Sequence, residues 1–356
     1  MQASQAINIK NILTEAVKRS ATDLHFSVGN APILRINGQL VLMEENELIT
    51  SEFMAEFISL LLDRAQQDEL AKKKELMLAH DFDKNLRFKV NIFYQKGLLS
   101  ATMRYISAQT PTIESLGLGQ EIVNLCKLKK GLILIAGSFG SGRSSTIAAI
   151  IENINQTRKE YIITLESPIE YIFTNKKSII EQREIGRDAT SFKDALNYFQ
   201  EEDGDVLFLE ELRDTEIIPL VLEIARGSVL VISSMGADSA TQAVTRILDS
   251  FQSFDQERIR DLLSTSLKAV ICQKLAPKRG GGLMAVQEVM ITTDAVKSVI
   301  ANGSLGQLEN IIQTSRREGM ISFDQKLAEL VKNGKVSRED ALENASDKNK
   351  LEGLLK

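Results

Sequence analysis

Gly131-Leu132-Ile133-Leu134-Ile135-Ala136-Gly137-Ser138-Phe139-Gly140-Ser141-Gly142-Arg143-Ser144-Ser145-Thr146-Ile147-Ala148-Ala149-Ile150-Ile151 decides the fold. A continuous apolar run reads as a buried strand, a glycine-rich turn follows, and the apolar residues then continue as a helix. The turn has the spacing G-x-x-x-x-G-K-[ST] with one change, Arg143 at the lysine position. Gly137, Gly140 and Gly142 let the backbone curl so that its N–H groups point inward at phosphate oxygens. The N-terminus of the helix adds partial positive charge. Ser138, Ser141 and Ser145 line the same turn, and Ser144 offers the hydroxyl for Mg²⁺. A glycine-rich turn without a ligand is the plainer reading. Strand, full spacing and helix occurring together favour a phosphate site.

Outward from this stretch, strand and helix alternate. Strands are expected at 132–136, 161–165, 206–209 and 229–232, and helices near 144–157, 190–201, 214–226, 238–249 and 256–272. Continuously apolar strands imply a sheet covered on both faces, as in α/β folds. Beyond residue 292 the pattern turns helical, with cap spacing at Ser322 to Gln325 and Ser337 to Asp340. The first hundred residues differ. They show an amphipathic helix over 6–17, an Asn37-Gly38 hairpin turn, a helix over 50–66, and alternating strands at 87–94 and 99–106. This reads as a small α+β domain with an antiparallel sheet. The expected division is an N-terminal domain 1–106, a linker 107–118, an α/β core 119–292 and a helical region 293–356.

The 356 residues suit about two domains of ~150 each. With 43% hydrophobic and 26% charged residues the chain reads as an ordinary globular protein. A net charge of −5 lacks the basic footprint of a nucleic-acid binder. Cys126 and Cys272 are far apart and fit buried packing better than a zinc or disulfide framework. No membrane-spanning run or signal-peptide pattern is found, so a cytoplasmic location is expected. His25 and His80 have no paired ligand spacing and read as structural. Lys72-Lys73-Lys74 reads as a solvated helix face.

Two further stretches end apolar strands in carboxylates. In Asp203 to Asp214, Glu211 is placed to polarise an attacking water, with Glu210 beside it. In Thr164-Leu165-Glu166-Ser167-Pro168-Ile169-Glu170, Glu166 ends another strand of the same sheet, where ligands of open α/β sheets sit. Each stretch alone is equally a solvated turn; beside a phosphate loop the chemical reading gains.

Taken together, these stretches resemble the type IV pilus retraction ATPases, the PilT-like branch of the secretion ATPase superfamily. The resemblance is carried by Ser20 to His25, Arg87 to Asn91, Gly137 to Thr146, Glu166 to Glu170, Glu181 to Asp188, Asp203 to Asp214 and Glu309 to Gly319. It implies an N-terminal PAS-like domain, a RecA-like P-loop core and a ring of six subunits with ATP and Mg²⁺ at the interfaces. It also implies an inner-membrane platform protein as partner, a peripheral place at the inner-membrane base of the pilus machine, and pilus disassembly driven by ATP. Carried over, Ser144 is the Mg²⁺-side hydroxyl, Glu211 the catalytic glutamate and Glu166 the acidic-box glutamate. Arg87 and Arg104 fall where that family places arginines that reach a neighbour's nucleotide.

The chain also departs from that pattern. Arg143 replaces the lysine, Ser167 an aspartate, Glu210 a glycine, and Val229 and Gly236 two histidines. Asn197 and Glu201 replace two arginines, and Ala295 to Ala301 lacks the arginines of the retraction motif. Arginine keeps the charge on a bulkier planar fork. Losing a positioned group around a transferring phosphoryl typically costs on the order of 10²–10³ in rate. Two readings therefore stand: a working retraction-type ATPase, and a nucleotide-binding paralogue with little turnover that regulates or joins an active motor in a mixed ring. An assembly-type ATPase fits less well, because its four-cysteine zinc element cannot be made from two cysteines.

Overall fold

The computed structural model describes residues 2–36 and 38–356. It divides into two compact units: one runs to Gln109 and includes Ser167–Ile172, the other comprises Thr110–Glu166 and Phe173–Lys356.

In the first unit, helix α1 (Gln2–Lys18) precedes strands β1 (Asp23–Ser27), β2 (Ile33–Ile36) and β3 (Gln39–Leu42). Helices α2 (Ser51–Leu61) and α3 (Arg64–Lys73) and strands β4 (Glu75–Asp83), β5 (Leu86–Gln95) and β6 (Leu98–Ile106) complete it. The strands form one antiparallel sheet in the order β3-β2-β1-β6-β5-β4. Asn37, half of the expected hairpin turn, lies outside the described residues; the strands on either side pair, with Ile36 opposite Gln39. The alternation in β5 has a direct cause. Phe88, Val90 and Ile92 point into the core, while Arg87, Lys89 and Asn91 take the other face. Against that core pack Ile9, Leu13 and Ala16 of α1 and Met54, Phe57 and Ile58 of α2. The single helix expected over 50–66 is two helices. Leu62 breaks it with an extended backbone, and Asp63 restarts it with a capping box to Gln66.

The second unit contains α4 (Gln120–Leu125), β7 (Gly131–Ala136), α5 (Arg143–Thr157), β8 (Tyr161–Glu166), β9 (Ile179–Glu184), α6 (Phe192–Phe199) and β10 (Val206–Leu209). It continues with α7 (Ile218–Arg226), β11 (Leu230–Met235), α8 (Ala240–Asp249), α9 (Ser253–Ser266), β12 (Leu267–Pro277) and β13 (Leu283–Ile291). Helices α10 (Asp294–Ala301), α11 (Leu308–Thr314), α12 (Phe323–Lys332), α13 (Arg338–Asn344) and α14 (Lys348–Leu355) end the chain. Seven strands lie in the order β13-β12-β7-β11-β10-β8-β9, all parallel except the β12–β13 pair. Successive residues of β7 feed opposite cores: Leu132, Leu134 and Ala136 join the larger one, Ile133 and Ile135 the other. That two-sided burial is why the strand reads as an unbroken apolar run. Cys126 and Cys272 are both buried and unbridged, and burial pushes each thiol up to about 12.

One expectation fails here. The helix expected over 256–272 ends at Ser266, and Leu267–Pro277 is strand β12. Buried between β7 and β13, β12 is apolar on both faces, so its sequence carries no period-2 signal.

Glu288 of β13 is buried, and its Oε1 accepts the Ala240 N–H at the start of α8 at 2.8 Å. Burial pushes its carboxyl above the ordinary 4.5, with Glu309 and Asp324 adding to the rise and the Ala240 N–H and Lys274 opposing it. The fold disfavours the ionised form. Its contribution to stability is therefore full below pH 4.5 and is lost as pH rises through the raised folded value. Glu288→Gln keeps the acceptor for Ala240 and removes the charge. Thermal melts should show the variant more stable than the parent at about pH 8, and the difference should vanish at about pH 4.

Candidate functional site

The site grows from the C-terminal edge of the parallel sheet. β7 runs parallel to both β11 and β12 and ends at Ala136. The chain then turns through Gly137, Gly140 and Gly142, with φ of 155°, 79° and 86°. The last two lie in the left-handed region that suits glycine. Gly142 is the N-cap of α5, and no side chain caps that helix. The positive end of the helix dipole therefore lies at the turn. A Cβ on Gly137 would lie 2.3 Å from Ser141 Oγ and 2.6 Å from the Gln273 carbonyl oxygen, so this close approach requires glycine. Ser138 and Gly140 are exposed, Ser141 is buried, Ser144 is exposed on the first turn of α5, and Ser145 is half-buried.

The second wall follows β10. The Glu210 N–H donates to the Leu165 carbonyl on β8 at 3.0 Å, and the Leu212 N–H to the Ser234 carbonyl on β11 at 2.8 Å. Ser234 Oγ also donates to the Glu210 carbonyl at 2.6 Å. Glu211 is thereby pinned between neighbours on both sides. Its carboxylate lies 3.7 Å from Arg143 Nη1 and 3.4 Å from Arg213 Nη1. Arg143 is the central feature. Nη1 is buried and has no hydrogen-bond partner, so its charge is met by the Glu211 carboxylate at ion-pair rather than hydrogen-bond distance.

Glu166 ends β8, two strands beyond β11 in the sheet order. It is buried and accepts from Thr164 Oγ1 at 2.6 Å and Gln182 Nε2 at 3.2 Å. The structure thus brings Arg143 and Glu211 together and places Glu166 on the same edge of the sheet.

Arg87 and Arg104 belong to the first unit. Arg87 Nε and Nη2 donate to the Glu170 and Ile169 carbonyls, each at 2.8 Å, and Nη1 to Asp81 at 2.5 Å. With Lys89 bonded to Glu170 at 2.8 Å, it fastens residues 169–170 to β5. Arg104 pairs with Asp23, its cross-strand neighbour, at 2.8 Å. His25 touches Thr102 at 3.2 Å and His80 stacks edge-on with Phe82; burial lowers the pKa of each.

The sequence reading missed Gln273. It is a buried polar residue in the apolar run Ala269 to Ala276, directly against the glycine turn. A polar pair, Gln273-Lys274, breaking an apolar run is the signal that would have found it, had that run been read as strand.

Comparison with known proteins adds one deciding observation: the model of the type II/IV secretion system protein family matches residues 2–350. The chain belongs to the type II/IV secretion system protein family. Within it, the chain is 34% identical to the type IV pilus retractation ATPase PilT of Pseudomonas aeruginosa over 95% of this chain and 98% of that one. It is 31% identical to the type IV pilus ATPase PilU of the same organism, over 98% and 92%. A crystal structure of the pilus retraction motor PilT with bound ADP superposes with a TM-score of 0.83 at 35% identity, covering 96% of this chain and 98% of that one. In this PilT-like member of the secretion family, strand, glycine turn and helix stand together at Gly131–Thr157. Val229 sits just before β11 and Gly236 just after it, where the Gly236 carbonyl accepts from Arg246. Asn197 lies in α6 and Glu201 just beyond it.

Proposed function

We propose that this chain is a retraction-type ATPase of the type IV pilus, binding ATP in the glycine turn and coupling it to pilus disassembly within a six-membered ring. The observation that supports this most is the full-length likeness to PilT, combined with a glycine turn that opens α5 with a glycine N-cap in the left-handed region. The turn's N–H groups, with Gly137, Ser138, Gly140, Ser141, Gly142 and Ser145, would hold the α- and β-phosphates, and Arg143 would neutralise their charge. Ser144 and the carboxylates after β10 would offer oxygen donors, the type a hard cation takes. Bound magnesium would supply charge neutralisation at the phosphate oxygens. Glu211 would accept a hydrogen bond from the attacking water and orient it, with Glu166 supporting the same edge. In this reading the first unit is the PAS-like domain, and Arg87 and Arg104 reach a neighbour's nucleotide in the ring. The ring would sit in the cytoplasm against an inner-membrane platform protein.

The Arg143–Glu211 contact favours a second reading, a ring member that binds nucleotide but turns it over slowly. A γ-phosphate must displace a carboxylate already paired with the arginine. Melting the purified protein with magnesium and either ADP or ATP tests binding itself. Both nucleotides should raise the melting temperature, by RT ln(1 + [L]/Kd) in free energy. A melting temperature that neither moves would remove the nucleotide reading.

A further inference from the structure

Gln273 is 1% exposed and meets the glycine turn at both ends. Its Nε2 donates to the Ser141 carbonyl at 2.7 Å, and its Oε1 accepts from Thr146 Oγ1 at 2.8 Å and from Gln287 Nε2 at 2.9 Å. The Ser141 carbonyl can only accept, which fixes the orientation of the amide. The backbone contributes as well. Gln273 follows Cys272, the register partner of Ala136, so its carbonyl faces Gly137; a Cβ on Gly142 would come within 2.8 Å of its Nε2. Behind it, Gln287 is the register partner on β13 and is equally buried.

We propose that Gln273 is the positioning residue of the phosphate loop, setting the distance between Ser141 and the first turn of α5 so that the loop's N–H groups converge on the diphosphate of a nucleotide. The inference rests on the nucleotide reading for its ligand and on geometry for its mechanism. Strand β7 stops at Ala136, but β12 runs on to Pro277 beside the turn. Its one buried amide spans from the loop carbonyl to a hydroxyl inside the helix. Glycine-rich backbone has little stiffness of its own, so the convergence of its amides must be imposed from outside. A buried, fully satisfied amide network is suited to do that.

Gln273→Glu tests this, because its carboxyl gives different answers in its two forms. Ionised, it has no donor for Ser141 and sets an oxygen against that carbonyl; protonated, it regains the donor. Burial raises a carboxyl's pKa, so the ionised form is reached at the alkaline end of the titration; at about pH 9.5 the variant should bind ADP with magnesium about 10- to 100-fold more weakly than the parent by titration calorimetry. Hydrogen exchange at residues 140–144 should speed in the nucleotide-free protein, while exchange in β10 and β11 stays at the parental rate. Both effects should reverse as pH falls and the new carboxyl protonates. Parental ADP affinity at about pH 9.5 would overturn the proposal. So would exchange that quickens equally through loop and sheet with no recovery at lower pH, since that marks a packing residue. If the variant does not fold, Thr146→Val removes the donor at the other end of the network. It should weaken ADP by roughly 3- to 10-fold without a pH dependence, and unchanged affinity would again overturn the proposal. A parent that binds no ADP, with loop exchange in the variant still responding as stated, would remove the nucleotide reading and leave the positioning role standing.

Discussion

Replacing Arg143 with lysine is expected to raise steady-state ATP hydrolysis by about 10²–10³-fold. Two effects act in the same direction. The guanidinium is a planar fork that lies 3.7 Å from the Glu211 carboxylate, so in the free protein the would-be catalytic anion is already engaged. Lysine carries its charge at a compact point on a flexible stem, which suits a position between phosphate oxygens and releases Glu211 for water. The partly buried setting matters. Arg143 keeps 19% and Glu211 33% of side-chain surface exposed, so their attraction is neither fully screened nor fully desolvated. The measurement is phosphate release by the purified full chain, parent beside Arg143→Lys. A parent turning over at roughly 1 s⁻¹ or faster would already be an ordinary enzyme, and the account of arginine as a brake would fail.

The second large effect is expected at Glu211. In the Arg143→Lys background, Glu211→Gln should lower hydrolysis by about 10²–10³-fold while leaving ADP affinity within about threefold. The substitution is isosteric. The backbone around it is held from both sides by the Glu210-to-Leu165 and Leu212-to-Ser234 hydrogen bonds, so geometry is preserved and only the base is lost. Made in the parent instead, it leaves Arg143 and Arg213 without their shared anion, and ADP should bind more tightly because the arginine no longer divides its attraction. Equal hydrolysis by the Arg143→Lys single variant and the double variant would exclude Glu211 as the group that orients water. Glu166, held by Thr164 and Gln182 on the next strand, would then be the carboxylate to test.

Much of the site is legible along the chain because phosphate loops are local. A buried strand, three glycines at set spacing and a helix start need no distant partner to be recognised, and all three stand where Gly131 to Ile151 places them. The carboxylates after β10 were legible for the same reason: an apolar run stops and charge begins. Legibility failed at β12. A strand buried on both faces has no alternation, and its register with β7 is set by sheet pairing rather than by its own sequence. With the start of β12 expected as helix up to residue 272 and the rest given no element, Gln273 is not placed as a neighbour of the glycine turn. The two-helix break at Leu62 was missed because an apolar residue ends the first helix, while the Asp63 cap that starts the second lies within a single periodic run.

By itself the sequence determined the α/β class of the larger unit, the glycine turn between strand and helix, and the antiparallel character of the smaller one, since each is written in periodicity and turn chemistry over a few residues. Only the tertiary structure decided that Arg143 faces Glu211, that Gln273 braces the loop, and that Arg87 fastens residues 169–170 to β5. Those contacts join segments distant in the chain. They follow from strand order and register, which the packing of the whole sheet settles and which no local pattern encodes.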